Sequence, residues 1–426
     1  MLIVLGLTFL ALLVLGSPIA FSMGIASVAA LAIDGNVPLV IVAQRIATGS
    51  QNFAWLAIPL FILAGSLMDT GGITIRLVRL SQALVGWVRG GLGMVVVVGE
   101  IFFSGISGSS IADVSAIGAI LIPPMVKAGY KRPYAVALVS AATAMGMLIP
   151  PCLLMVVLGV MTNLSIGALF MAGFIPGFVM ALGLLGLIAV QARRGGISDT
   201  VQMTWRERGA AVLDSLLALM MPVIIFGGIL GGVVTATEAA VLAVAYGFVI
   251  GVFVYREIKL HHLKKMLVDT AVTTGVVMLL VGTATVFSWI LATQQVPQML
   301  GAWMRTVSSD QWVFILISLV VFLLFGTVLE GMPALIILIP ILIPIAKSFG
   351  VDPLHYAILS IAAAGIALFS PPFGVGLFVA CTIGKVEMPE VVGSFIPFLL
   401  VLLAALLVIA FFPWFTLVLP KAVGLY

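Results

Sequence analysis

Residues 103–113 read Phe103-Ser104-Gly105-Ile106-Ser107-Gly108-Ser109-Ser110-Ile111-Ala112-Asp113, a polar, glycine-rich break between the apolar runs 91–102 and 114–125. Each run is roughly half the ~20 residues that a transmembrane helix needs. The pair therefore predicts a hairpin that enters a bilayer and returns, not a span. Backbone freed from helical bonding at membrane depth must be buried in protein or line a wet cavity, so small hydroxylated residues at such a tip mark a candidate site.

The remainder of the chain has the composition to support such a hairpin. Of 426 residues, 63% are hydrophobic and only 8% charged, and the mean hydropathy is +1.34. A water-solvated fold has no surface on which to place that much apolar area. The expected class is an all-α polytopic membrane protein, with roughly a dozen spans or half-spans packed as one body. The longest polar stretches, 193–208 and 256–265, are loops of ordinary length, which leaves no room for a soluble domain. Cys152 and Cys381 both lie in apolar runs and are expected as small core residues, neither a disulfide framework nor a metal cluster. Residues 1–16 lack a basic n-region and a cleavage site before a soluble domain, so a retained membrane segment is expected.

In chain order, residues 1–33 form an apolar stretch interrupted at Gly16-Ser17-Pro18, expected as two short segments or one kinked span. A polar loop is expected at 34–52 and a span at 53–68. Residues 73–88 interleave apolar positions with Arg76, Arg79, Ser81 and Gln82, the pattern of an interfacial helix. The crossing from Pro133 is interrupted at Pro150-Pro151, where each ring removes a donor and restricts the residue before it, so the helix must unwind.

These features recur. Gly105 and Gly326, Pro123 and Pro344, Pro150-Pro151 and Pro371-Pro372, and Phe174-Ile175-Pro176 and Phe395-Ile396-Pro397 all share an offset of 221 residues. Rare proline pairs carry the match, so it reads as an internal repeat. The first repeat is expected at 53–192 (hairpin 91–126, broken helix 133–162) and the second at 266–418 (hairpin 311–349, broken helix 354–384). Linking spans and basic loops occupy 193–265. If the first hairpin enters from the cytoplasm, alternation places 15 of the 19 Lys and Arg inside and only Arg45, Arg305, Lys347 and Lys421 outside. The halves then run in opposite orientations, the inverted-repeat plan of secondary transporters with a site at the midplane.

The run 103–118, the break 148–151, the string Val328-Leu329-Glu330-Gly331-Met332-Pro333-Ala334 and the run 370–380 resemble the large membrane subunit of TRAP transporters. These are the tripartite ATP-independent periplasmic transporters of bacteria and archaea. The resemblance extends over nearly the whole chain, including Ile58-Pro59-Leu60-Phe61-Ile62-Leu63-Ala64-Gly65. It implies an elevator-type fold of the ion-transporter-superfamily kind, in a bacterial or archaeal inner membrane. It further implies sodium-driven import of an organic anion, with a small four-helix membrane subunit and a periplasmic binding protein as partners.

Sodium needs oxygen ligands without a cage of full charges, which unwound carbonyls and hydroxyls supply. The first tip offers Ser104, Ser107 and Ser109, and the facing break offers carbonyls near Gly146, Ile149 and Pro150; by the resemblance these form one sodium site. The second is expected from Gly326, Thr327 and Glu330 with Gly365, Phe369 and Ser370 facing them. Glu330 is an intramembrane carboxylate and so a functional candidate. The family commonly places an aspartate in this neighbourhood, so the longer glutamate is expected either to touch sodium or to support it electrostatically. Substrate is expected between the tips, where half-helix N-termini suit a carboxylate, with Ser110, Asp113 and Ser370 as candidates. Asp113 is equally a candidate to cap the return helix. No cofactor is expected beyond the coupling sodium ions.

Other classes fit less well. Gly105-Ile106-Ser107-Gly108 resembles the nucleophile motif of rhomboid intramembrane proteases, but that chemistry needs a histidine base near the serine. His261 and His262 lie in a basic loop and His355 begins a late span, so no enzyme is expected. There is no Walker-type loop for ATP. A passive channel needs one continuous polar path, which two opposed hairpins do not suggest. A stand-alone sodium-coupled carboxylate carrier of similar fold remains open.

Overall fold

A computed structural model describes residues 1–107, 110–195, 200 and 202–426, with Gly105, Ile106, Ser107 and Gly195 given as helical backbone only. Among the described residues all regular structure is helical, and nine helices are long and apolar enough to cross a membrane. The first part of the chain forms α1 (Leu2–Val14), α2 (Ile19–Asp34), α3 (Val40–Gly49), α4 (Ala57–Thr70) and α5 (Ile73–Val85). The first hairpin is α6 (Gly91–Ser107) and α7 (Ser110–Lys127), followed by the broken pair α8 (Arg132–Gly146) and α9 (Leu153–Thr162) and the long α10 (Ile166–Gly195). Then come α11 (Trp205–Leu230), α12 (Ala236–Val249) and α13 (Leu260–Thr293). The chain closes with α14 (Val296–Val307), the second hairpin α15 (Gln311–Leu329) and α16 (Gly331–Ser348), the broken pair α17 (Pro353–Phe369) and α18 (Val375–Gly384), α19 (Met388–Phe411) and α20 (Trp414–Ala422).

The 221-residue interval reappears in the elements. Gly91 and Gln311, Ser110 and Gly331, Arg132 and Pro353, Leu153 and Val375, and Ile166 and Met388 begin equivalent helices, each pair within one residue of that offset. Proline and aspartate set two of these starts. Pro133 and Pro353 occupy the first turn, where their missing N–H has no partner to lose. Asp352 caps α17 by accepting from the N–H groups of Leu354 (2.9 Å) and His355 (3.2 Å).

α8 and α17 cross at the centre of the molecule. Every residue from Ala135 to Gly146 and from Leu354 to Phe369 is buried, as befits helices that are apolar all round. Each hairpin packs on its own broken helix, α6 and α7 on α8, and α15 and α16 on α17. Outside this body, α2, α3 and α4 pack on α13, α12 on α4, and α11 on α5.

Two stretches differ from the sequence expectation. Residues 34–52 are not a continuous loop, because α3 forms within them and holds to α13, with the Arg45 guanidinium 5.0 Å above the Trp289 ring. Between α13 and the second hairpin, α14 takes the place that α5 has in the first half, an amphipathic helix that the sequence reading passed over. Residues 1–33 resolve into two short helices, since Pro18 ends the first run and α1 folds back on α2. On the scaffold, Arg76 of α5 ties three segments together. It pairs with Asp214 (3.3 Å) and Glu257 (3.1 Å), donates to the Gly72 carbonyl (2.8 Å) and lies 3.6 Å over the Tyr255 ring. Burial opposes its charge, but these carboxylates outweigh that and hold its pKa above the usual guanidinium value.

Candidate ion and substrate site

At the first hairpin the structure joins tip and break directly. Ser104, buried on the last turns of α6, donates its hydroxyl to the Gly146 carbonyl at 2.7 Å. That carbonyl is not left without a donor, as the proline pair alone suggested. The chain tightens into a 3₁₀-type turn after α8, and the Ile149 N–H also reaches it, at 2.8 Å. Ile149, Pro150 and Pro151 are all buried. The break is seated by α10, where two glycines one turn apart make a groove. A Cβ on Gly173 would meet the Leu148 carbonyl, and one on Gly177 would stand 2.5 Å from Ile149 Cδ1. Ser109 lies outside the described residues, as does the side chain of Ser107.

The second hairpin turns at Glu330, whose φ of 70° and ψ of 157° lie in a region that glycine occupies freely and other residues at a cost. Gly326 and Gly331 let this hairpin approach α17. A Cβ on Gly326 would stand 2.6 Å from Ala367 Cβ, and one on Gly331 3.3 Å from the Ala364 carbonyl oxygen. Gly365, expected to face the tip, instead turns its Cα toward α8, where a Cβ would lie 2.8 Å from the Ala144 carbonyl oxygen. Thr327 directs its hydroxyl back to Leu324 (2.8 Å), and Ser370 directs its own to Ile366 (2.7 Å). Phe369 is fully buried at the end of α17. Beyond it, a Cβ on Gly374 would stand 2.6 Å from the Ser370 carbonyl oxygen and 2.8 Å from that of Leu368. The second break thus gathers backbone oxygens around a glycine.

A cavity of about 410 Å³ lies between the two tips. Ser110 and Gly331, the first residues of α7 and α16, both line it, so two helix N-termini open into one space. Met147 and Cys152 from the first break and Leu368 from the second form further wall. Among the described residues its charged lining is Asp69, Asp269 and Glu330, with no Lys, Arg or His. Asp69 ends α4 and Asp269 stands in the early turns of α13, both exposed, so the mouth lies at the end of the molecule that carries the basic loops. Of the three substrate candidates only Ser110 lines this space. Asp113 is buried behind it in the first turn of α7, within reach of the Ser104 hydroxyl. Ser370 is buried beneath the second break.

The sequence reading missed Glu100. It stands inside the run 91–102, taken as apolar, and is fully buried on α6. The rule that singled out Glu330, a carboxylate within an apolar stretch, applies to it equally. His355 has a structural role, with Nδ1 2.8 Å from the Thr416 hydroxyl and Nε2 3.2 Å from the Ala410 carbonyl oxygen. Both cysteines are free and buried.

Comparison with known proteins agrees with this architecture. The family described as the DctM component of tripartite ATP-independent periplasmic transporters matches residues 7–415. The sialic acid TRAP transporter large permease protein SiaM of Vibrio cholerae is 36% identical over 413 residues, covering 97% of each chain. The C4-dicarboxylate TRAP transporter large permease protein DctM of Rhodobacter capsulatus is 34% identical over 438 residues, covering 100% of this chain and 99% of that one. Among solved structures, the YdaH transporter of Alcanivorax borkumensis shares the fold, with a TM-score of 0.65 over 88% of this chain and 87% of that one, at 14% identity. With hairpins, breaks and a family match that spans nearly its whole length, the chain belongs to the DctM family, the large permease subunits of TRAP transporters, and is a membrane transport protein, not an enzyme.

Proposed function

We propose that this permease imports an organic acid by sodium symport across a bacterial or archaeal inner membrane. The substrate class is a carboxylate such as a C4-dicarboxylate, a keto acid or a sugar acid, as the names of the relatives suggest. The observation that carries this reading is the cavity into which the N-termini of α7 and α16 both open. Helix N-termini bind carboxylates through free N–H groups and the positive end of the dipole. With no basic side chain in the lining, the remaining charge of the anion is balanced by cations bound at the two hairpin–break junctions. Ser104 and the Gly146 carbonyl are already in contact at the first junction. A sodium ion that takes both oxygens displaces this hydrogen bond, and the hydroxyl keeps its proton and turns it away from the carbonyl. At the second, the candidate donors are the carbonyls around Gly374 and the Glu330 carboxylate, with Gly326 and Gly331 letting the hairpin approach α17.

In the arrangement described, the mouth faces the cytoplasmic side. Uptake therefore requires the body of hairpins and broken helices to move against α4 and α13, the elevator mode. A small four-helix membrane subunit completes the scaffold, and a periplasmic binding protein delivers the acid. The test is uptake into proteoliposomes holding this chain, its small partner and its binding protein, with candidate acids and an imposed sodium gradient. Uptake is expected to need both sodium and the binding protein, and to be lost in Ser104→Ala. Uptake without the binding protein makes the chain a stand-alone carrier. Flux that ignores sodium removes the coupling.

A further inference from the structure

Glu100 precedes Ser104 by one helical turn, so the two side chains leave α6 on the same face. Neither oxygen of this fully buried carboxylate has a hydrogen-bond partner. The hydroxyl beside it, on Thr143 of α8, donates instead to the Val139 carbonyl at 3.0 Å. No Lys, Arg or His among the described residues forms an ion pair with Glu100. A carboxylate in such surroundings is not kept ionised without a compensating charge.

The geometry shows where that charge belongs. Glu100 Oε1 lies 3.0 Å, and Ser104 Oγ 2.8 Å, from the point where a Cβ on residue 146 would stand. Only because 146 is glycine is that space left to them. Carboxylate, hydroxyl and, through the 2.7 Å contact of Ser104, the Gly146 peptide oxygen converge there. Asp113 approaches the same hydroxyl from α7. Oxygen donors of these three kinds are the ligand set of a hard cation.

We propose that Glu100 holds the cation of the first hairpin, supplying the negative charge that Ser104 and the Gly146 carbonyl lack, while Asp113 orients the Ser104 hydroxyl. The proposal rests on the sodium reading given above and adds a consequence to it. Without its cation the buried carboxylate must take up a proton to be neutral, so sodium and a proton compete for the same place in the first hairpin.

The test is thermal unfolding of the purified full-length protein against sodium chloride, with choline chloride holding the ionic strength. Wild type is expected to be stabilised by sodium. Glu100→Gln, isosteric and uncharged, is expected to unfold at a higher temperature than wild type without sodium and to need about tenfold more sodium for half-saturation, the scale of effect of a lost metal-supporting partner. Glu100→Asp keeps the charge but draws it back by one methylene, so a smaller rise in the half-saturating sodium concentration and no sodium-free stabilisation are expected from it, which keeps the test open if the glutamine variant does not fold. Ser104→Ala is the reference. A Glu100→Gln variant with the wild-type sodium response overturns the proposal, and if Ser104→Ala still loses that response the sodium site itself stands. A wild type stabilised by acid and indifferent to sodium overturns both.

Discussion

In the first hairpin the carboxylate stands on the incoming helix, at Glu100, fully buried and one turn before the serine that meets the break. In the second it stands at the turn itself, at Glu330, partly exposed and in left-handed backbone that lines the cavity. The 221-residue offset puts Val321 where Glu100 would recur, and Ser109 where Glu330 would. The two halves therefore share helix starts, glycines and proline pairs but not their charge. What the repeat preserves is the backbone geometry that frees oxygens at depth; what each copy supplies for itself is the anion. The first keeps it in the dark behind Ser104, and the second presents it to the space where substrate is expected.

The sharpest way to break this comparison is to add one methyl group to each junction. In Gly146→Ala the new Cβ stands 2.8 Å from Ser104 Oγ and 3.0 Å from Glu100 Oε1, so these groups must shift to admit it. The sodium concentration for half-maximal stabilisation is expected to rise at least about tenfold, with uptake falling in proportion. In Gly326→Ala the clash is with Ala367 Cβ at 2.6 Å, apolar against apolar. Overpacking of that kind costs about 1–3 kcal/mol, read as a lower unfolding temperature, and Ala367→Gly in the same chain is expected to restore it. Equal effects of the two methyl groups on sodium affinity defeat the distinction between a polar and a packed junction.

A smaller effect separates backbone from charge at the second turn. Glu330 holds a conformation that costs a non-glycine residue about 1–3 kcal/mol. Glycine relieves it but brings extra freedom to the unfolded chain, worth roughly 0.5–1 kcal/mol. Glu330→Gly is expected to raise stability by about 1 kcal/mol while lowering uptake, whereas Glu330→Gln keeps the strain and loses uptake alone. Thermal unfolding and proteoliposome flux on both variants check this. A Glu330→Gly protein that loses stability shows that contacts of the carboxylate, not the turn, dominate there.

How far these sites were legible in the sequence follows from what made each one rare. Proline pairs and glycine-serine clusters are conspicuous in a chain so apolar, and α6, α15, α8 and α17 start within a residue of the expected 91, 311, 133 and 354, whereas α7 begins four residues before the apolar run at 114. Glu100 was hidden because one charge does not alter the apolar character of a twelve-residue run. Gly173 and Gly177 carry no mark in the sequence that separates them from other helix glycines; their role comes from the break that rests on them. The second donor to the Gly146 carbonyl comes from a local tightening of the chain that proline spacing does not encode. Asp113 shares the first tip with residues that line the cavity yet lies behind its wall, because one position along a helix turns a side chain by about 100°, and Ser370 lies past the end of α17 with its hydroxyl turned back to Ile366.

The smallest effects belong to two exposed carboxylates at helix starts, and they calibrate the buried ones. Thr204 and Glu207 begin α11, and Thr235 and Glu238 begin α12, with matching reciprocal caps: each glutamate accepts from the threonine N–H at 2.7 Å, and its own N–H reaches the threonine hydroxyl at 3.3 Å. These bonds favour the ionised form and hold both carboxyls below the usual range. A lowered folded value means that the stabilisation is complete above the unfolded value of about 4.3 and drains away as pH falls through the folded one. Glutamine can keep the cap geometry without titrating, so Glu207→Gln and Glu238→Gln are expected to flatten a slight acid-side decline in unfolding temperature below that pH. The sodium response at neutral pH is expected to stay at its wild-type value in both. If either variant shifts it, the carboxylates at the helix starts communicate with the hairpins, and the charge that governs ion binding is no longer confined to Glu100 and Glu330.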